Sequence, residues 1–547
     1  MSIEAIEKRV VKEFAAEGID IVRVETRTFP QEAHVIVYVV PELHERALLA
    51  SSRLEIASLD HDEVYVIVRK IAEAEIATSD PGGRVASVHD ERCEKLVKLV
   101  SAHNRVSNAQ PSLAYVADAR ATISAVSAAR HHLIFGRRGA GKTALMVETK
   151  RQLEASGALA AWVNIQTYRQ EDPQRVVLWV LVEMLQAIQV SRLLPEGSQV
   201  ALRVGKLVND VQGLLDASST EVEKVHSLVP RAQQILRDAL LIAERPVFVF
   251  LDDFYYLPRA SQPSVLDLLH GMVRDVHAWL KVASIKHLTR WWQASPPMGL
   301  QSGQDAEIID LDITLQDPAR AKGFLEGVLY VFAKRAGIAS LSQVFRSEAL
   351  DRLVIASGAV PRDYLVLATS ALERARRREK ARTVGVQDVN QAAGDAGAAK
   401  KQELEEDMAS NVGSAERTLG TLATIRQFCL EEKGFTYFLV DFRDREMSPA
   451  SYTFLTDLMD VRLLHLIEAS VSDSHEAGKK YEAFMLDLSE YTGSRLKKKL
   501  TVLDFADGKF QTHVTGSTTK PRVARTPREF IVILRGAPVL SLASLGG

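Results

Sequence analysis

His132-Leu133-Ile134-Phe135-Gly136-Arg137-Arg138-Gly139-Ala140-Gly141-Lys142-Thr143-Ala144 is the stretch on which the fold turns. A short, mostly apolar run, the length of one buried strand, breaks into a glycine-rich turn and then into a helical pattern over 144–156. The turn fits GxxxxGK[ST]. Glycines let successive backbone N–H groups face inward around phosphate oxygens, and the positive end of the following helix points at the same anion. In that geometry the backbone from Gly136 to Ala144 cradles the phosphates. Lys142 reaches the β- and γ-phosphates, and the Thr143 hydroxyl binds Mg²⁺.

Outward from the loop the pattern alternates: strands are expected at 160–166, 246–251, 280–285 and 307–311, with helices between them. Such alternation predicts an α/β fold, a mostly parallel sheet covered on both faces. The segment 170–245 is longer than a simple crossover and its helical pattern predicts an inserted bundle. Val247-Phe248-Val249-Phe250-Leu251-Asp252-Asp253 is a buried strand ending in two carboxylates. Alone it is more often an ordinary strand end than a catalytic site. Downstream of the loop it calls for a cation, with Asp252 on Mg²⁺, directly or through water, and Asp253 orienting the attacking water.

The chain has 547 residues, 46% hydrophobic and 25% charged, a composition that excludes wholesale disorder and a fibrous repeat and predicts several domains. A net charge of -2 argues against coating nucleic acid by bulk charge. Cys93 and Cys429 are the only cysteines, too few and too far apart for a disulfide framework or a zinc site, and they suit a reducing compartment. With no signal-peptide pattern and no membrane-length apolar run, the expectation is a cytoplasmic protein with no membrane partner.

The expected organisation has four parts. Residues 1–83 form a small α/β domain: helix 3–17, strands 19–27 and 33–40, a helix from 42, a strand 63–69, and a linker at Asp80-Pro81-Gly82-Gly83. Residues 84–315 form the loop-bearing core, with a turn at Gln110-Pro111-Ser112 and a helix 118–129 before the loop. Residues 316–397 form a helical lid, and 408–547 a further domain. In that last part a helix 417–432, a strand 436–440, a helix 451–466 and a hairpin around 472–478 fit a winged helix. Residues 500–547 are expected to add short strands, one at 530–534.

Taken together, the chain from about 112 to 395 resembles AAA+ ATPases of the origin-recognition-complex type and the related STAND signalling ATPases. The matching residues are Gly136–Thr143, Val247–Asp253 and Ser357-Gly358-Ala359-Val360-Pro361-Arg362. The resemblance implies that Arg362 is the lid arginine sensing the γ-phosphate, that ATP and Mg²⁺ are bound, and that a helix at Asp388–Ala392 precedes a winged helix. It implies an ATPase used as a switch, coupling nucleotide state to oligomerisation or recruitment of a protein partner, as in bacterial defence or signalling. An alternative is an initiator or transposition-regulator-like ATPase that loads a partner onto DNA. Asp253 stands where many hydrolysing relatives have Glu, which implies slow turnover. Lys286, His287 and Thr289 all remain candidates for the polar residue at the end of the fourth strand. Arg290 is either a finger for a neighbouring subunit or a surface arginine.

Two basic stretches bear on partners. Arg374–Arg382 closes a lid helix, and 495–529 carries nine Lys/Arg against three acids. Yet the candidate recognition helix, 452–460, is acidic and apolar, so DNA and protein partners both stay open. Trp291-Trp292 reads as packing rather than base stacking.

Overall fold

The computed structural model describes residues 3–16, 19, 21–29, 32–39, 43, 47–48, 50–51, 63–70, 85–109, 116, 122–217, 222–407, 412–492 and 499–545. Two compact units divide the chain, Met1–Gly83 and Arg84–Gly547. In the first, helix α1 (Ile3–Ala16) is followed by strands β1 (Ile21–Phe29), β2 (Glu32–Val39) and β3 (Glu63–Lys70). Period-two alternation puts Val35, Val37 and Val39 on one face of β2, where they share a core with Ile6, Val10 and Phe14, spaced four apart on α1. The order is β1-β2-β3, with β1 antiparallel and β3 parallel to β2. The expected linker at 80–83, most of the helix from 42 and the turn at 110–112 lie outside the described residues.

The second unit begins with α2 (Glu91–His103) and α3 (Thr122–Ser127). Its central sheet is built from β4 (His131–Phe135), β5 (Leu159–Asn164), β6 (Val247–Asp252), β7 (Ala278–Ser284) and, after the short hairpin β8 (Trp292–Ala294) and β9 (Pro297–Gly299), β10 (Ala306–Asp310). The order β10-β4-β7-β6-β5 is parallel throughout, as the alternation predicts. Every residue of β4 and β6 is buried, the pattern of strands covered on both faces. Helix α4 (Lys142–Ala155) packs on one side. On the other lie α5 (Pro173–Val190), α6 (Gln199–Asp216), α7 (Val222–Ala243) and α8 (Gln262–Val273). Trp291 packs at 5.1 Å from Phe135, inside this core.

A second large core runs from α2 through α9 (Pro318–Arg335), α10 (Ser347–Ala356), α11 (Pro361–Arg376) and α12 (Val386–Asp407) into the C-terminal elements. Those elements are α13 (Val412–Arg426), β11 (Tyr437–Asp441), α14 (Phe442–Met447), α15 (Pro449–Asp460), β12 (Leu464–Ser472) and β13 (Lys480–Leu486). Their antiparallel sheet has the order β11-β13-β12. A last sheet, β14 (Thr501–Ala506), β15 (Lys509–Val514) and β16 (Arg522–Val523), precedes α16 (Pro527–Leu534).

Buried charges tie these parts together, each paired as low-dielectric surroundings require. Arg352 donates from Nε to Asn390 Oδ1 and from Nη1 to Asp504 Oδ1, both at 2.8 Å. Lys400 donates to Asp487 at 2.9 Å, and His465 Nε2 meets the same carboxylate at 2.9 Å. The basic run 374–382 spends several of its arginines on ion pairs, Arg374 with Asp395, Arg376 with Glu94 and Arg378 with Asp388.

Two expectations are corrected. Residues 530–534 are helical, because Thr526 accepts from the Glu529 amide, Glu529 accepts from the Arg525 amide, and Pro527 opens the helix. This start signal outweighs the strand preference of the Ile-Val-Ile run. The helix expected over 451–466 stops at Asp460, since Arg462 takes φ 60° and reverses the chain into β12.

Candidate functional site

Strand register brings the chemistry together. Asp310 lies beside Phe135, Phe135 beside Ser284, and Asn164 beside Asp252, so the carboxyl ends of the strands form one edge. A cavity of about 850 Å³ opens there, between the sheet, residues 103–109 and the helices of the second core. In open parallel sheets this edge is where ligands bind.

The glycine-rich loop forms its floor. Gly139 and Gly141 take φ of 78° and 100°, conformations that a side chain disfavours. At Gly139 space matters as well, because a Cβ would lie 2.8 Å from Arg362 Cβ. The Arg362 amide donates to Gly139 O at 3.3 Å, so the start of α11 rests on the loop. Gly141 precedes α4 without a side-chain cap, leaving the helix N-terminus to an incoming anion.

Lys142 is buried, its Nζ donating to Gly136 O at 2.7 Å and Arg137 O at 3.1 Å. Burial pushes its amine below the usual value, while Asp253, Asp312 and Asp252 pull it back up. Thr143 Oγ1 donates to Asp252 Oδ2 at 2.9 Å. Asp252 is 1% exposed; burial, and then the neighbouring Asp253, push its carboxyl up to about 6. A carboxylate held out of water beside a hydroxyl and a second carboxylate suits a hard cation. Among the described residues no three His, Cys, Asp or Glu side chains cluster as a metal cage. A hydroxyl and one or two carboxylates are the donors that a protein usually offers Mg²⁺, whose shell phosphate and water complete. Asp253 follows at φ 57°, a strained backbone for a non-glycine residue.

The expected site residues divide by what their side chains do. Gly136, Arg137, Arg138, Gly139, Ala140, Gly141, Lys142, Thr143, Ala144, Asp252, Asp253 and Arg362 all line the cavity. The Arg137 guanidinium, however, bridges the segment after β10 and the turn before α11: it meets Asp312 at 3.3 Å, Ile313 O at 2.8 Å and Gly358 O at 3.1 Å. Arg138 instead lies over Tyr255 and Tyr256. Lys286, His287, Thr289 and Arg290 do not line the cavity. Thr289 bonds Ser284 at 2.5 Å, and Lys286 and Arg290 are exposed. His287 Nε2 meets Asp460 Oδ2 at 2.5 Å. Burial pushes the His287 ring down to about 4, and burial, then the neighbouring Asp312, pushes the Asp460 carboxyl well above its ordinary value.

Sequence reasoning missed two walls. One has Trp162, Asn164, Tyr255 and Tyr256; the other has residues 103–109 with Phe324, Val328 and Leu365. The tyrosines follow the aspartate pair after Phe254, which was the available signal; residues 103–109 carry no phosphate or base motif.

No protein-family model and no curated protein matches the chain. Among solved structures it is similar to the Aeropyrum pernix Orc1 protein in complex with DNA, at 15% identity over 75% of this chain and 92% of that one, with a TM-score of 0.33. It is similar to Drosophila ORC bound to DNA at 13% identity, covering 82% and 98%, with a TM-score of 0.34. Cdc6p from Pyrobaculum aerophilum is likewise similar, at 12% identity over 76% of this chain and 95% of that one, with a TM-score of 0.28.

Proposed function

We propose that the chain is an ATP-responsive switch that hydrolyses its nucleotide slowly. One observation carries the reading: a single cavity holds the glycine-rich loop, Lys142, the Thr143–Asp252 pair, Asp253 and the lid arginine Arg362. The loop amides and Lys142 hold phosphate oxygens, replacing the loop carbonyls that Lys142 now contacts. Thr143 and Asp252 hold Mg²⁺, which when bound neutralises phosphate charge and the Asp252 carboxylate. Asp253 orients a water toward the terminal phosphate. Arg362, whose backbone touches Gly139, links that phosphate to α11 and the core behind it. Among the described residues no helix is long and apolar enough to cross a membrane.

The test is nucleotide binding and turnover by the parent, Lys142→Ala and Asp253→Asn. The expected result is weak binding by the first variant and tight binding without turnover by the second. Equal turnover by all three would assign any activity to a contaminant. Light scattering with ATP and with ADP reads whether the nucleotide state also sets oligomerisation.

A second reading, a nucleotide-bound protein that loads a partner onto DNA, is favoured by the C-terminal charge. Residues 508–547 carry six Lys/Arg against one Glu. The winged-helix reading of residues 408–547 places the recognition helix at α15, where Leu455, Asp457 and Leu458 are buried. A DNA contact would therefore fall on β15, β16 and α16. A mobility shift with duplex DNA that weakens steeply with salt supports this reading, and its absence removes it.

A further inference from the structure

We propose that Arg138 contacts the terminal phosphate of the bound nucleotide, so that the loop supplies a guanidinium from within its own chain and the Tyr255–Tyr256 pair parks it when no phosphate is present. The inference rests on the reading of this cavity as a nucleoside triphosphate site.

The two neighbouring arginines of the loop have opposite fates. Arg137 is spent on Asp312, Ile313 and Gly358, outside the phosphate cradle. Arg138 faces the cavity, with its guanidinium carbon 5.4 Å from the Tyr255 ring centre and 5.9 Å from that of Tyr256. Its Nη2 lies 3.5 Å from the Tyr256 hydroxyl. Both rings belong to the short turn Phe254–Tyr256 that starts at Asp253, the residue assigned to the attacking water. The guanidinium therefore belongs to the same cavity wall as Asp253, in a cavity that Lys142 also lines.

Charge supports the same placement. Arg138 and Lys142 line the same cavity. Two cations facing one cavity repel each other until an anion comes between them. A guanidinium makes two parallel, charge-assisted hydrogen bonds to a phosphate, a stronger hold than its contact with an aromatic ring. A terminal phosphate thus outcompetes the tyrosine pair, and its loss returns the guanidinium to the rings. ADP lacks that group, so Arg138 discriminates between the two nucleotides. Terminal-phosphate recognition then needs no arginine from a second copy. Arg290, the other candidate, lies outside the cavity, its amide bound to the Gln262 side chain at 2.7 Å.

The test is calorimetric binding of MgATP and MgADP to the full chain and to Arg138→Ala, Arg138→Lys and Lys142→Ala. Arg138→Ala should weaken ATP by about tenfold to a hundredfold and leave ADP within about twofold, the retained ADP binding proving that the variant is folded. Arg138→Lys should fall between, because an ammonium keeps the charge and loses the fork. Lys142→Ala should weaken both nucleotides. An unchanged ratio of ATP to ADP affinity in Arg138→Ala overturns the inference alone, as does the same result in Arg138→Lys should the alanine variant not fold. Failure of the parent to bind either nucleotide overturns the reading of the cavity itself. Turnover per chain should not depend on protein concentration; a rise with concentration that Arg290→Ala abolishes would also overturn the proposal.

Discussion

Replacing Lys281 by methionine tests how the sheet tolerates a buried amine. Lys281 lies in the middle of β7 and is 0% exposed. Its Nζ donates to Ala128 O at 2.7 Å, to Arg130 O at 2.8 Å and to His132 Nδ1 at 2.8 Å. His132 is held neutral, burial pushing it down to about 3, so it can accept. Burial drives the amine from its ordinary 10.5 down to about 7, with Glu307 pulling weakly the other way. A drop of that size corresponds to about 5 kcal/mol, at about 1.4 kcal/mol per pH unit. The two carbonyls favour the ammonium, so this is a ceiling. The sign follows from the depressed value. The unfolded chain binds the proton more tightly, so stability present above pH 10.5 is lost as the pH falls toward 7, and the loss levels off below it. Methionine does not titrate, and the two carbonyls it leaves without a donor cost the same at every pH. Urea midpoints for parent and variant between pH 6 and 10 should therefore diverge in favour of methionine as the pH falls, and run parallel below 7. A difference that stays flat across the range would refute the reasoning.

Three further outcomes are expected. Gly358→Ala places a Cβ 2.3 Å from the His465 ring at a φ of 57°; strain and overpacking should cost about 2 to 4 kcal/mol in urea unfolding, and an unchanged midpoint would mean that β12 does not pack there. Asp460 faces Asp312, Asp457, His287, Arg137 and Lys142, and its raised carboxyl destabilises the nucleotide-free fold as the pH rises past the unfolded value. Asp460→Asn should thus match the parent at pH 4 and exceed it at pH 8; the reverse order would show that the carboxylate is ionised in place. Arg352→Met strands Asp504 and Asn390 and should cost about 3 to 5 kcal/mol, much of it recovered in the double variant with Asp504→Asn. Absence of recovery in that cycle would remove the pairing as the cause.

Legibility followed the range of the interactions. The glycine-rich loop could be read because its glycines, Lys142 and Thr143 act within eight residues, where backbone conformation is set by the residues themselves. The strand ending in Asp252-Asp253 was readable for the same reason. The helix at 527–534 carried its own start signal in Thr526-Pro527-Arg528-Glu529, and the β-branched run after it masked that signal. Other features had no local signature. Nothing in Asn164 announces that it will lie beside Asp252, 88 positions away; the parallel register of β5 and β6 puts it there. Neither does His287 announce that it will meet Asp460.

Local sequence was enough to place a parallel sheet, a glycine-rich loop after one strand and a carboxylate pair at the end of another. Backbone freedom and apolar periodicity are properties of short stretches. Only the packed fold settles which partners each loop arginine meets. Arg137 and Arg138 are identical neighbours, and they part because Asp312 and the Gly358 carbonyl approach one while Tyr255 and Tyr256 approach the other. A side chain's role at such a site is set by what the rest of the fold brings within a few ångströms of it.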